Sequence, residues 1–334
     1  MIRIKRTYKQ VLQNYRFIDL FCGIGGFHLA LSAFGAKCVF ASDIDAEARK
    51  VYFNNFNIEP EGDIKNIYAE DIPAHDILCG GFPCQAFSIS GTQAGFDDEK
   101  TGRLFFEIIR IAQHHQPQIV LLENVANFEA HNNGKTIERI LSELNKIGYT
   151  AFKKVLCASD YGIPQYRRRL YIVAFRDNLN INDFKFPEKK ILRRKLVNLL
   201  EPQNSATDAS EINRAYHIRD GYQRIEDECR KPYIRIGEIG LGRQGERIYS
   251  TKGCAVTLSA SSGGLGGRTG IYLVDNKIRK LTPRECARLM GFPNKYKIAK
   301  TSNMAYQQFG NSVVVDVLQH IIIKIINSIQ GGQL

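Results

Sequence analysis

Between Arg16 and Arg176 short apolar runs alternate with stretches of helical spacing, and this alternation constrains the fold more than any other feature. Arg16–Phe21, Cys38–Ala41, Ile77–Gly80, Ile119–Glu123 and Arg169–Phe175 are short and rich in Ile, Val, Leu and Phe, which predicts strands. Gly26–Phe34, Asp45–Phe53, Leu104–His115 and Thr136–Ile147 carry amphipathic helical periodicity. Strands and helices that alternate at this length build an α/β domain around a mostly parallel sheet covered on both faces. Ligands of such sheets bind beyond the carboxyl ends of the strands. Three of the predicted strands run there into conspicuous residues: Phe21-Cys22-Gly23, Gly80-Gly81-Phe82-Pro83-Cys84 and Glu123-Asn124-Val125.

Past Pro187 the pattern breaks. Residues 188–232 are polar and mixed in charge, and 235–275 are rich in glycine, which predicts a small, loop-rich second domain. Apolar residues return at helical spacing in 313–329, interrupted by Asp316, Gln319, His320, Lys324 and Asn327. Those interruptions predict a core helix rather than a membrane span, packed back on the first domain. The division expected is therefore 1–195 with 305–334, and 196–304.

Charge follows the same division. The net charge is +12, and residues 188–310 hold 23 Lys+Arg against 12 Asp+Glu, whereas the rest is nearly balanced. An excess confined to one third of the chain suits a surface that faces a polyanion, nucleic acid above all. None of the eight cysteines sits in a Cys-x-x-Cys pair and no histidine cluster completes a zinc pattern, so no metal is expected. Basic Met1–Leu12 lacks the apolar run of a secretory signal, which predicts reduced thiols in a cytoplasm.

Cys22-Gly23-Ile24-Gly25-Gly26 joins the first strand to a helix, and glycine there lets a ligand approach the backbone. Asp43, at the end of the second strand, is placed to hold ribose hydroxyls. A dinucleotide fingerprint would put glycine at position 28, where His28 stands. A ribose-bearing ligand without a diphosphate, S-adenosylmethionine, therefore fits better than NAD. Asp63 is either a contact to its adenine or a simple loop aspartate.

The Pro83-Cys84 dipeptide puts a thiol at the same sheet edge, and Glu123 ends a strand that reaches it. Phe21–Gly25, Pro83–Gln85, Glu123–Val125, Gln165–Arg169 and Gly310–Ser312 together resemble, in order, the motifs of the DNA cytosine-5 methyltransferases. The resemblance implies an S-adenosylmethionine-dependent, Rossmann-like catalytic domain and a DNA-recognition domain. It implies Cys84 as nucleophile, with Glu123, Arg167 and Arg169 as further catalytic residues. For the two arginines the options are orienting Glu123, holding the base oxygen, or pairing with phosphate.

The cofactor contacts implied are Phe21, Cys22, Gly23, Ile24, Gly25, Gly26, Asp43, Ile44, Asp63, Ile64, Gly81, Pro83, Leu104, Asn311 and Ser312. Those to DNA are Ser88, Ser90, Arg243, Gln244, Arg247, Tyr249 and Thr257, with Gln244 entering the duplex where the target cytosine leaves it. Cys79–Gly91, Asp160–Gln165, Gln244–Thr251 and Arg279–Ala287 are similar to a bacterial member whose target is GCGC, and that target is expected here. Asp43-Ile44 replaces its Glu-Trp, and Arg243 replaces a glycine.

The partners expected are double-stranded DNA and a restriction endonuclease that acts on the same site without a stable complex. The chain is expected to be a monomer. Three rival readings are an RNA cytosine methyltransferase, an inactive DNA-binding relative and an NAD-dependent dehydrogenase. The basic domain argues against the first, Cys84 and Glu123 beside a cofactor turn against the second, and His28 with Pro83-Cys84-Gln85 against the third.

Overall fold

The computed structural model describes residues 4, 6–82, 103–190, 194–202, 211–228 and 232–331. They fall into two compact units, each discontinuous in sequence: Ile2–Leu156, Arg168–Glu188 and Val317–Leu334 form one, and Cys157–Arg167 and Lys189–Asp316 the body of the other. This differs from the expected 1–195 with 305–334, and 196–304. Segment 157–167 joins the second unit because it is stitched there by main-chain bonds: Tyr166 N donates to Ala255 O at 2.8 Å, and Ala255 N to Pro164 O at 2.7 Å.

The first unit is built on six strands, β1 Arg16–Leu20, β2 Lys37–Ser42, β3 Ile77–Gly80, β4 Ile119–Val125, β5 Tyr149–Cys157 and β6 Arg168–Arg176. Their order is β2-β1-β3-β4-β6-β5. The pairs β1–β2, β1–β3 and β3–β4 are parallel and β4–β6 is antiparallel, so the sheet is mixed. All of β3 and all of β1 beyond Arg16 are buried, as a sheet covered on both faces requires.

Among the described residues four helices follow the strands: α1 Gly26–Ser32, α2 Ala46–Phe56, α3 Arg103–His115 and α4 Lys135–Lys146. Asp45 starts α2 by accepting from the N–H groups of Glu47 and Ala48, which offsets two of the four donors a helix leaves open. Ile18, Leu20, Leu78, Val120, Leu122 and Ile172 from the strands meet Phe105, Ile108, Ile140 and Leu144 from the helices in one core. The terminal helix, Val315–Ile329, belongs to this unit from Val317 onward. The stretch Ser302–Ile329 has the length and hydropathy of a membrane span, but 72% of its most apolar window is buried inside the protein. It is a core helix. Tyr8 donates to Asn327 across 3.0 Å and ties the two ends of this unit together.

The second unit is more regular than its composition suggests. Among the described residues it holds five strands, β7 Tyr216–Ile218, β8 Arg235–Ile239, β9 Arg247–Ser250, β10 Ile271–Val274 and β11 Lys277–Arg279, in the order β11-β10-β9-β8-β7. Ile212, Ile234, Ile236, Ile239, Ile248, Ile271 and Ile278 give it a core of its own. With strands of three to five residues between glycine turns, the alternation is too short to stand out in sequence, so what reads as loop is sheet. Helices α5 Tyr222–Glu228, α6 Pro283–Leu289 and α7 Ser302–Asn311 complete it. Thr282 and Glu285 close a capping box on α6, while Glu285 receives both ends of the buried Arg279 guanidinium at 2.8 Å.

Candidate active site

In the first unit the glycine turn leaves β1 through left-handed backbone at Phe21 (φ 53°), Gly23 (φ 51°) and Gly25 (φ 78°) before α1 begins at Gly26. Gly25 is required sterically as well, since an added Cβ would lie 2.2 Å from the Phe56 ring. At Gly23 an added Cβ would meet nothing within 4 Å, so open space lies over that residue. Beside it, Asp43 accepts from Gly23 N at 2.7 Å and from Asp45 N at 2.8 Å, one N–H on each carboxylate oxygen. Burial pushes the Asp43 carboxyl above its usual range, and these two donors work against that shift. Each oxygen keeps a lone pair for a ligand hydroxyl.

The next residue, Ile44, leaves 74% of its surface exposed and supplies an apolar face. Ile64 is 2% exposed and belongs to the core, while Asp63 caps the turn by accepting from Lys65 N and pairing with its ammonium at 3.1 Å. Leu104 packs half-buried against the same core. Cys22 is buried, and its thiol is pushed well above its usual value by burial and by the carboxyls of Asp19 and Asp43, so it stays protonated. Asp19 went unnoticed in sequence: it is fully buried, and burial raises its carboxyl well above the usual range.

Glu123 and Arg169 come together at the end of β4. The antiparallel register sets Val125 opposite Arg169 and Glu123 opposite Tyr171. Glu123 and Val125 share a face, because strand residues two apart point the same way, so Glu123 and Arg169 are diagonal neighbours. Arg169 Nε lies 3.1 Å from Glu123 Oε1, and both side chains are largely buried. Between them in sequence, Asn124 donates to Phe82 O at 3.2 Å and accepts from Val125 N at 2.8 Å. That bond fixes the exit of β3 to the exit of β4, two residues before Cys84. Pro83, Cys84, Ser88 and Ser90 lie outside the described residues.

Of the two arginines considered for Glu123, the structure brings Arg169 to it and gives Arg167 other work. Arg167 is 2% exposed; its Nη1 donates to Leu258 O at 2.8 Å and its Nη2 to Gly310 O at 2.9 Å and Ser312 O at 2.7 Å. Strand alternation does not separate them, since residues two apart point the same way; the chain passes from the second unit to the first between Arg167 and Arg168. Gln165 reinforces the anchorage of Arg167 within the second unit, donating to Leu289 O at 2.9 Å and accepting from Leu258 N at 3.2 Å. Ser312 is buried there and Asn311, at the end of α7, is exposed.

Among the residues expected at DNA, Arg243 and Gln244 are exposed and Arg247 is half-buried. Thr257 is exposed, with its hydroxyl donating to Tyr166 O. Tyr249 departs from expectation. It is 6% exposed and packs on Tyr233 and Tyr272, each 6.0 Å away between ring centroids, because its place in β9 turns it to the face opposite Ile248, beside its register partner Tyr272.

Residues 15–327 match the sequence model of the C-5 cytosine-specific DNA methylases, and the chain belongs to that family. Such proteins are S-adenosylmethionine-dependent α/β methyltransferases, and this one is a DNA (cytosine-5)-methyltransferase. It is 50% identical to the type II methyltransferase M.HhaI of Haemophilus parahaemolyticus over 98% of both chains. It is 40% identical to M.HaeII of Haemophilus aegyptius over 95% of both. The fold is shared with the Dnmt2 methyltransferases of S. pombe, with TM-score 0.66 and 22% identity over 94% of this chain and 98% of that one, and of Spodoptera frugiperda, with TM-score 0.69 and 21% identity over 93% and 99%.

Proposed function

We propose that this methyltransferase modifies the first cytosine of GCGC in duplex DNA through a covalent bond from Cys84 to C6, with Glu123 as the acid. The observation that carries the reading is the placement of Glu123. It is held by Arg169 at a strand end whose next residue, Asn124, pins the chain two positions before Cys84. Cytosine C5 is a poor nucleophile until its ring is interrupted. Addition of the Cys84 thiolate to C6 moves an electron pair toward C5, and a proton from Glu123 to N3 offsets the charge that develops. Loss of the C5 proton to water after transfer lets the pair return and expels the thiolate, and N3 gives its proton back to Glu123.

S-adenosylmethionine suits the glycine turn, and when bound it supplies an electrophilic methyl group. The open space at Gly23, the two remaining lone pairs of Asp43 and the exposed Ile44 would take its amino-acid arm, ribose and adenine respectively. The other contacts assigned to it are Phe21, Cys22, Ile24, Gly25, Gly26, Asp63, Ile64, Gly81, Pro83, Leu104, Asn311 and Ser312. The second unit is the recognition domain, reading bases through Arg243, Gln244, Arg247 and Thr257. Similarity to M.HhaI supports GCGC as the target, and the names of the relatives as type II methyltransferases support a restriction–modification setting. The chain would act there in a bacterial cytoplasm, as a monomer beside an endonuclease for the same site.

Bisulfite sequencing of plasmid DNA treated with the pure protein and S-adenosylmethionine tests this directly. The expected result is protection confined to the first cytosine of GCGC. Protection in another context would overturn the target, and incorporation of methyl groups without protected cytosine would overturn the chemistry.

A further inference from the structure

The β8–β9 connection carries an apolar residue in a place that folding alone does not explain. Leu241 is 82% exposed, the most exposed large apolar side chain among the described residues. Gly240 and Gly242 flank it, with φ of 51° and 66°, so the chain turns left-handed on either side of the leucine. Gly242 N donates back to Ile239 O at 3.0 Å, and the following turn is closed on both sides: Arg243 N donates to the Glu246 carboxylate at 2.9 Å and Glu246 N to Arg243 O at 2.8 Å. The positive φ makes the second glycine necessary, since a side chain there would be strained whatever space the Arg235 guanidinium left for it. The leucine is therefore held outward by a pinned turn.

Its neighbours say what it faces. Arg243 and Gln244 are exposed next to it, in the unit that carries nearly all of the chain's positive excess. A leucine gains nothing from phosphate. Of the groups that a duplex displays in its major groove, the 5-methyl group of a pyrimidine is the apolar one. We propose that Leu241 is a base-reading residue that packs on a pyrimidine 5-methyl group, at or beside the target site. The assignment rests on the reading of this basic unit as the face toward DNA. Two sources supply that group: a thymine in the flanking pairs, or a 5-methylcytosine already made on the opposite strand.

Competition binding by the full chain distinguishes them. One arm compares target duplexes carrying thymine or uracil in the flanking pairs, and the other compares hemimethylated with unmethylated duplexes. Burial of one methyl group predicts that wild-type protein prefers the methyl-bearing duplex by roughly fourfold in one of the arms. Leu241→Ala should bring that ratio close to one, and Leu241→Ile should keep it. A folding defect would weaken both members of a pair alike and leave the ratio standing. The proposal is overturned if wild type shows no preference in either arm, or if Leu241→Ala retains it. The basic-face reading itself fails separately, if wild-type affinity for unrelated duplex does not fall with salt.

Discussion

The two sheets of this protein do different kinds of work, and the short segment Gln165–Arg169 shows how. In the six-stranded sheet, parallel strands buried on both faces bring the glycine turn, the exit of β3 and Glu123 to their carboxyl ends. In the five-stranded sheet, strands of three to five residues carry turns whose tips, such as Leu241 and Gln244, point outward. The first sheet converts burial into fixed geometry for chemistry, and the second converts short strands into displayed side chains. Arg167 and Arg169 stand two residues apart, yet one is anchored on carbonyls of the second unit and the other on a carboxylate of the first. Spacing in a motif does not assign a common task.

Substitutions confined to the first unit should sharpen this contrast most. Cys84→Ser is expected to abolish methyl transfer while DNA is still bound, because an alcohol is a far weaker nucleophile at neutral pH. Glu123→Gln keeps the shape of the side chain and removes its proton. It should slow single-turnover methylation by about 10²–10⁴-fold, with duplex affinity within a few-fold of wild type. Unchanged single-turnover rates would move the acid elsewhere and leave the Glu123–Arg169 pair a packing feature.

Arg167 tests the other side. Arg167→Met keeps the stem and deletes donors to three buried carbonyls, at a cost of about 1 kcal/mol or more for each acceptor left without a partner. The expected outcome is a loss of about 3 kcal/mol of stability in denaturant unfolding, added over the three carbonyls. Arg169→Met removes the partner of one carboxylate rather than of three carbonyls, and should lose activity with a smaller stability change. If instead Arg167→Met keeps full stability and loses only the rate, the arginine belongs with the catalytic group after all.

Sequence reached the first unit more surely than the second. The strand ends at Phe21, Gly80 and Glu123, the glycine turn and the terminal core helix all carry strong local signals, since burial on two faces demands apolar runs and turns demand glycine. Strand β5 carries no such signal. Tyr149–Cys157 is an edge strand with Lys153 and Lys154 exposed, so it lacks both the run and the alternation. The Asn124 bond to Phe82 O, the burial of Asp19 and the divergent roles of Arg167 and Arg169 are set by tertiary contacts between segments remote in sequence, and local patterns hold no record of them. Tyr249 shows the converse: its motif marks it for DNA, but its strand position buries it against Tyr233 and Tyr272.

Acidification gives the smallest effect expected, and it separates the units again. His28 and His75 both lie in the first, and burial lowers each from the ordinary value near 6.5 to about 4. His28 stacks on Phe56 at 3.8 Å between centroids and shares a bond of 2.7 Å with the Tyr52 hydroxyl. His75 lies beside the His115 ring, 4.8 Å away, and bonds Pro73 O through Nδ1 at 2.8 Å. A base whose folded pKa is depressed takes up its proton more readily when unfolded. The stability it contributes is thus complete above pH 6.5 and is lost as pH falls toward 4. Asp19 and Asp43, raised by burial, act in the opposite sense and blunt the net change. A single histidine is isolated by His75→Asn, which keeps a donor near Nδ1 and cannot titrate. Between pH 7 and pH 5 the wild type should lose on the order of 1–2 kcal/mol more than the variant, read as a steeper fall in Tm over that interval. Parallel pH profiles would mean that His75 is hydrated or protonated in the folded chain, and the first unit would then owe its acid sensitivity to His28 alone.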